Sequence, residues 1–441
     1  MRLFIDCSET NLSGGKGGIQ RTVRRLAELG PKVGESLGVS CIPIIVRENK
    51  IAPILKLRPR GNRLYSLLSS LYGSIRRFAP GLNLVKGPLS RAARRVLPAA
   101  DRASLKTEPI ELRAEDIVFF PDSTWRAPIW DVVAAAKSRG AKVGFMIYDL
   151  IPIRRPDFYP DVDTELFSRW MERVSREADF YVAITQAVKE DLADYLEANG
   201  RFQAPTLVFP LGADFDGAKP ACVPCSRSER VPKHLQERRY DSAPAEAHAA
   251  LLDAMSPAGE TFITVSTIEP RKNHAGLLEA FDAAWAAGSK AKLCLIGKKV
   301  WLCDELIERI KKHERFGKSL FLFHDLNDAE LAFCYAHAAA AISPSLMEGF
   351  GLPVIEALSA GLPVLASDIP SHREIGGKFC RYFDPCDFQS LARLILAWGT
   401  PSLPAVRPAA EFHWPSWEEN VRGLVSAIAG LFGTKQSAER V

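Results

Sequence analysis

Apolar positions recur along this chain in short runs separated by helical patterns. Arg2 to Ile5 is a short, mostly apolar run. Val39 to Val46, Ile117 to Phe120, Lys142 to Ile147, Phe180 to Ile184 and Thr206 to Phe209 are further strand candidates. Between them, the segments from Ile19 to Leu29, Leu166 to Ala178 and Ala187 to Ala198 carry the spacing of amphipathic helices. A second set follows, with strands at Phe262 to Ser266, Lys292 to Ile296, Leu320 to Phe323, Ala339 to Ser343 and Pro363 to Ala366. Its helices are expected at 275–286, 304–313, 328–336 and 353–360, and one more amphipathic helix at 417–431. Such alternation predicts parallel sheets built from βαβ units. The polar stretch from Pro220 to Ser242 reads as the heart of a linker between the two sets.

A chain of 441 residues exceeds one ordinary core, which supports the same division. The reading is an α/β protein of two doubly wound domains. The N-terminal domain takes 1–215, the linker 216–255, the C-terminal domain 256–412 and a final helical segment 413–441. Ligands of such folds sit at the carboxyl ends of strands and between domains.

Composition narrows the class. Hydrophobic residues make up 47% and charged residues 25%, as in a globular protein in water. The net charge is +5 but unevenly spread: thirteen Lys and Arg lie between Lys50 and Lys106 against the single acid Asp101. Residues 50–110 mix these cations with apolar positions at roughly helical spacing. Such a segment suits an anionic membrane surface, or else a helical excursion packed on the N-terminal domain. No nucleic-acid reader motif accompanies the charge, so no nucleic-acid partner is expected. The nine cysteines include one CxxC, Cys222 and Cys225, with no second pair at zinc-ligand spacing, and read as reduced thiols binding no metal. The opening MRLFIDCSE lacks a secretory leader pattern, and no run approaches eighteen apolar residues. A cytoplasmic chain, at most peripheral on the inner face of the membrane, is the expectation.

Four segments carry candidate chemistry. In EGFGLPVIE, seven residues separate Glu348 from Glu356. Pro353 suits a first helical turn and Gly361 ends that helix. That places Glu356 on the first turn and Glu348 in the loop before it. Gly349 and Gly351 let the backbone approach a partner closely, and the amides of a helix start favour an anion. Phosphate plus hydroxyl groups describes a nucleotide or nucleotide-sugar; the other reading is a tight turn with two surface glutamates. In VSTIEPRKNH, residues 265–274, Arg271 and Lys272 suit a diphosphate or form an ordinary basic turn. SGGKGGI, residues 13–19, fits neither the P-loop nor the GxGxxG pattern, yet its glycines can present amides to a phosphate. Asp149 in IYDLIP can accept a substrate hydroxyl or cap the next turn.

Taken in order, these segments resemble the retaining family 4 glycosyltransferases of GT-B fold, whose E-x7-E signature EGFGLPVIEALSAGLPVLASD matches. YDLIP, FPLGAD at 209–214, TIEPRKN and SDIPSHRE are similar to other stretches of that family, and the likeness spares only about 50–110 and 216–255. The resemblance implies two Rossmann-like domains facing across a cleft, with the C-terminal helix free to cross back onto the N-terminal domain. It implies that the C-terminal domain holds a nucleotide-sugar, with no cofactor and no required metal. Glu348 would face the donor sugar and Glu356 would grip the ribose hydroxyls. Arg271 and Lys272 would offset diphosphate charge. Gly349, Phe350, Gly351, Leu352 and Thr267 would join the donor contacts, and Gly17 and Gly18 would approach from the other domain. Tyr148 stands where the family often has His, and a phenol is a poor proton shuttle near neutral pH. The expected activity is transfer of a sugar, with mannose from GDP-mannose as first choice, onto a glycan or lipid-linked acceptor of a bacterial surface polysaccharide. A sugar-nucleotide epimerase or phosphorylase, and a non-catalytic glycan-binding subunit, are the competing readings.

Overall fold

The computed structural model describes residues 1–13, 17–47, 50–55, 57, 110–212, 245–256, 260–324, 326–403 and 412–433. The expected linker lies largely outside them. So does the basic segment, apart from its first few residues and Ile110.

Two sheets organise the chain. The first has seven strands in the order β3-β2-β1-β4-β5-β6-β7. These are β1 Arg2–Asp6, β2 Ser40–Arg47, β3 Lys50–Pro53, β4 Ile117–Phe120, β5 Lys142–Ile147, β6 Phe180–Ala183 and β7 Thr206–Val208. The second has six in the order β10-β9-β8-β11-β12-β13: β8 Thr261–Val265, β9 Lys292–Ile296, β10 Leu320–Phe323, β11 Ala340–Ser343, β12 Val364–Ser367 and β13 Cys380–Phe383. All pairings are parallel except β2 with β3. Strands β4, β6 and β12 are buried throughout, because helices cover both sheet faces. In each sheet the strand order reverses at one point, between β1 and β4 and between β8 and β11, where crevices open at the carboxyl ends.

Several elements differ from the pattern reading. Lys50–Pro53 pairs antiparallel at a sheet edge instead of joining a helical excursion. The first long helix runs Gly18–Ser36, through Pro31, because Val33 and Gly34 are buried against the start of β2. Helices Trp130–Ser138, Pro370–Gly376 and Phe388–Ala397 were not evident from the pattern. Helix Ala245–Ala254 occupies residues expected in the linker.

The last helix, Trp417–Phe432, does cross back. Ser416 and Glu419 close a capping box at its start. Trp417 is fully buried, and a Cβ on Gly212 would stand 2.6 Å from its backbone nitrogen. Trp414 Nε1 donates to the Leu211 carbonyl at 2.7 Å, and Arg422 donates to Ser36 Oγ at 2.8 Å.

At the switch point of the first sheet, Asp6 is wholly buried. Ser8 Oγ donates to its Oδ1 at 2.5 Å, while Oδ2 has no hydrogen-bond partner among the described residues. Burial, and then the charge of Asp122, push this carboxyl up to about 8. An unfolded Asp loses its proton near pH 4. The stability this group contributes is therefore complete below that pH and lost as pH rises toward about 8. Asp6→Asn is expected to flatten the fall of the unfolding midpoint between pH 5 and pH 8. Parallel curves for the two proteins would show that the carboxyl is not held neutral.

Candidate active site in the cleft

The EGFGLPVIE loop joins β11 to helix Leu352–Ser359 and is clamped between the domains. Gly351 has φ +115°, a region open to glycine, and a Cβ there would strike Ile375 at 2.8 Å. Gly349 faces the other domain: a Cβ would stand 2.0 Å from the Tyr148 carbonyl oxygen. Thr185 caps helix Gln186–Ala198 by accepting from Val188 N, and its hydroxyl donates to the Gly349 carbonyl at 2.9 Å. Phe350 is buried edge-on against Trp414, with ring centroids 5.8 Å apart. The close approach predicted from the two glycines thus includes the backbone of the N-terminal domain.

Glu348 lies at the centre of a charge cluster. Its carboxylate accepts from Arg271 Nη1 at 2.6 Å, from Lys272 Nζ and from Ser345 Oγ at 2.8 Å. Arg271 Nε lies 2.8 Å from Glu269 Oε1. The two loops are joined by their backbones, Leu346 N donating to the Arg271 carbonyl at 2.8 Å. Asn273 helps turn the chain, with φ +53° and a side chain that caps helix His274–Ala286 by accepting from Gly276 N. Burial alone would raise the Glu348 carboxyl, but Lys272 and Arg271 outweigh it and hold the group well below the usual carboxylate range. An ionised Glu348 paired with two cations is held as an anion and is no proton donor.

Glu356 is the fifth residue of its helix, so it stands on the second turn and not the first. The start at Leu352, one residue before Pro353, accounts for the shift. Its carboxylate is buried, accepting from Arg21 Nη1 at 2.5 Å and from the Tyr335 hydroxyl at 3.1 Å. Arg21 comes from the N-terminal domain, one turn beyond Gly17 and Gly18. Gly17 caps that helix in extended backbone, and a Cβ on Gly18 would touch Leu352 at 3.5 Å. The glycine turn and the E-x7-E helix therefore face each other across the cleft.

Tyr148 and Asp149 follow β5. The Tyr148 hydroxyl donates to the Pro121 carbonyl at 2.8 Å. Asp149 Oδ1 accepts from Ile151 N at 3.1 Å, a local turn bond to the residue two positions on. Burial raises its carboxyl, with Arg271 in part offsetting that. Both residues line a cavity of about 350 Å³ between the domains, which Arg271 also reaches. Thr267 stands exposed beyond β8, in the segment leading to Glu269.

The structure thus gathers Glu348, Arg271, Lys272, Asp149 and Tyr148 around one end of the loop, and Glu356, Leu352 and Gly18 around the other. Sequence reading missed Glu269, Ser345, Thr185, Arg21 and Tyr335. Glu269 sits inside a segment already singled out, and Ser345 three residues before another. Arg21 and Tyr335 reach Glu356 from 335 and 21 residues away, with no local signal. The seven described cysteines are free thiols; Cys222 and Cys225 lie outside the described residues.

Residues 256–400 match the glycosyl transferases group 1 family. Over 329 residues, 73% of this chain, the sequence is 30% identical to the serotype-specific mannosyltransferase WbdA of Escherichia coli, covering 38% of that protein. It is 32% identical to the O-antigen chain mannosyltransferase B of Escherichia coli over 170 residues, 37% of this chain and 44% of that one. The chain spans less than half the length of these curated relatives. A glycosyltransferase from Rickettsia africae superposes with TM-score 0.55 at 16% identity, covering 99% of both chains. Anabaena HepE, crystallised with UDP and glucose, superposes with TM-score 0.54 at 14% identity, covering 97% of this chain and 95% of its own. At those identities the likeness shows the fold, two parallel-sheet domains of GT-B type. The C-terminal part of the chain, residues 256–400, is thus a glycosyl transferases group 1 domain.

Proposed function

We propose that this protein transfers a sugar from a nucleotide-sugar onto a glycan acceptor, with retention at the anomeric carbon and without a required metal. The observation that carries the reading is the pairing of Arg271 and Lys272 with Glu348 at one end of a loop whose other end presents Glu356. Two cations held by carboxylates at the mouth of a buried cleft are preorganised for a leaving diphosphate, whose charge develops as the anomeric C–O bond breaks. That bond's electron pair goes to the phosphate oxygen. The acceptor oxygen forms the new bond and its proton passes to the departing phosphate. Tyr148 and Asp149, engaged by Pro121 and Ile151, orient the acceptor side and do not act as a base. Glu356, buried and acceptor-only, suits ribose hydroxyls once Arg21 yields one oxygen.

Mannose from GDP-mannose is the first choice of donor; the names of the two curated relatives, both mannosyltransferases, support the mannose. A lipid-linked glycan of a bacterial surface polysaccharide is the proposed acceptor class, supported by the O-antigen chain enzyme among them. The reading places the chain in the cytoplasm, peripheral to the membrane. No helix among the described residues is long and apolar enough to cross one. Liposome flotation with anionic lipid tests the basic segment 50–110, and absence from every lipid fraction would remove the membrane from the proposal.

A thermal-shift series with UDP-, GDP-, TDP- and ADP-sugars tests the donor. A ligand at 100 times its Kd stabilises the folded state by about 2.7 kcal/mol. GDP-mannose is expected to give the largest shift. Glu356→Gln is expected to weaken it by roughly tenfold in affinity, since hydrogen bonds to charged groups contribute about 1.5–3 kcal/mol each. No shift with any nucleotide-sugar would refute the reading. Turnover of the donor without an acceptor would favour an epimerase.

A further inference from the structure

The interdomain cavity has a chemical character of its own. Its walls are aromatic: Trp125 and Phe167 meet edge-on with centroids 6.2 Å apart, and Tyr159 lies against Trp301 at 5.5 Å and 36°. Trp301 comes from the other domain. It lies in the loop after β9, and its Nε1 donates across the boundary to the Phe158 carbonyl at 2.9 Å.

That reach is built into the loop. Leu302 holds φ +51°, a left-handed conformation that an ordinary side chain seldom adopts. Val300 N donates to the Ile268 carbonyl at 3.2 Å, and Cys303 Sγ donates to the same carbonyl at 3.2 Å. Bonds on either side of Trp301 therefore over-determine a strained loop that projects one indole into the cleft. Strain kept in this way is characteristic of ligand clamps.

Charge narrows the occupant. Asp122, Asp149 and Asp163 line the cavity against Arg126 and Arg271. Both guanidiniums already have carboxylate partners, Asp163 for Arg126 and Glu269 and Glu348 for Arg271. Arg271 turns to Glu348 on the donor side and Arg126 is paired with Asp163, so the lining holds no further cation for a second phosphate on the acceptor side. Flat aromatic faces suit the C–H face of a sugar ring, and the aspartates accept from hydroxyls. A volume of about 350 Å³ lies at the small end of the range for ligand sites, roughly 300–1,000 Å³.

We propose that this cavity binds a neutral pyranose ring at the end of the acceptor, and that Trp301 completes the subsite across the domain boundary. The proposal rests on the transferase reading and adds the acceptor's chemistry. The subsite exists only when the domains are closed, which couples acceptor binding to assembly of the cluster around Glu348.

Saturation-transfer NMR on the full chain tests it. The probes are the methyl α-pyranosides of mannose, glucose, galactose and rhamnose, with sn-glycerol 3-phosphate as the anionic comparison. At least one pyranoside is expected to receive saturation from the wild type, and glycerol phosphate none. Trp301→Ala and Trp125→Ala should each weaken pyranoside binding at least tenfold, and Trp301→Phe should recover part of it. GDP and UDP affinities should stay within twofold. Trp125 does not bridge the domains, so its variant separates a stacking wall from a mere latch. The proposal fails if no pyranoside binds the wild type, if either alanine variant binds as well as wild type, or if glycerol phosphate competes. Nucleotide-sugar binding is measured separately, so failure of the donor reading is a different result.

Discussion

Lys272→Met is expected to lower the transfer rate at saturating donor by two to three orders of magnitude. Removing one preorganised donor from a developing negative charge typically costs about 10²–10³ in kcat. Methionine keeps the apolar stem in its buried place, so the loss falls on the charge. The substitution also leaves Glu348 with Arg271 as its remaining cation among the described residues. Breaking a buried pair costs about 3–5 kcal/mol at the upper end, and a lowered unfolding midpoint is expected too. The pH dependence has a definite sign. The Glu348 carboxyl is held below its unfolded value, so its contribution is present above the ordinary carboxylate range and lost in strong acid. With Lys272 gone, the acid limb of stability should move to higher pH. Transfer within tenfold of wild type in a folded Lys272→Met protein would show that the ammonium does not serve the leaving group.

Gly349→Ala is expected to lower kcat/KM about a hundredfold through geometry alone. The new methyl would stand 2.0 Å from the Tyr148 carbonyl oxygen. The carbonyl is backbone and a Cβ is fixed to its own backbone, so neither yields by changing rotamer. Ordinary contact near 3.5 Å requires the domains to part here by roughly 1.5 Å. The Thr185 to Gly349 hydrogen bond lies in the same place and would stretch with them. A misplacement of about 1 Å in a reacting complex can cost about 10²-fold. Gly423→Ala is the control: it lies in the last helix with nothing within 4 Å of the added methyl. That change should be neutral or slightly stabilising. Steady-state kinetics and unfolding midpoints decide the matter. Equal activity in the two variants would mean that the cleft tolerates separation at Gly349.

Much of the site was legible because its geometry is local. Two glycines and a proline between two glutamates forecast a loop leading into a helix, and the cations at 271 and 272 follow a strand that the apolar pattern reveals. The elements missed were those whose sequence is weakly patterned or whose stability is borrowed. The helical pattern was read only to Leu29, but the burial of Val33 and Gly34 carries the helix through Pro31 to Ser36. Lys50–Pro53 becomes a strand because β2 offers it an edge.

The amino-acid order alone determined two sets of alternating strands and helices, the loop of EGFGLPVIE and the residue types able to meet a diphosphate and sugar hydroxyls. These depend on periods of two and 3.6 residues and on backbone conformations particular to glycine and proline, all readable within a short window. Only the tertiary structure decided that Gly349 abuts Tyr148, that Arg21 reaches Glu356 and that Trp301 closes a cavity walled by the other domain. Such contacts join segments more than a hundred residues apart. They are set by how two sheets and a returning helix pack, and no short stretch of sequence encodes that.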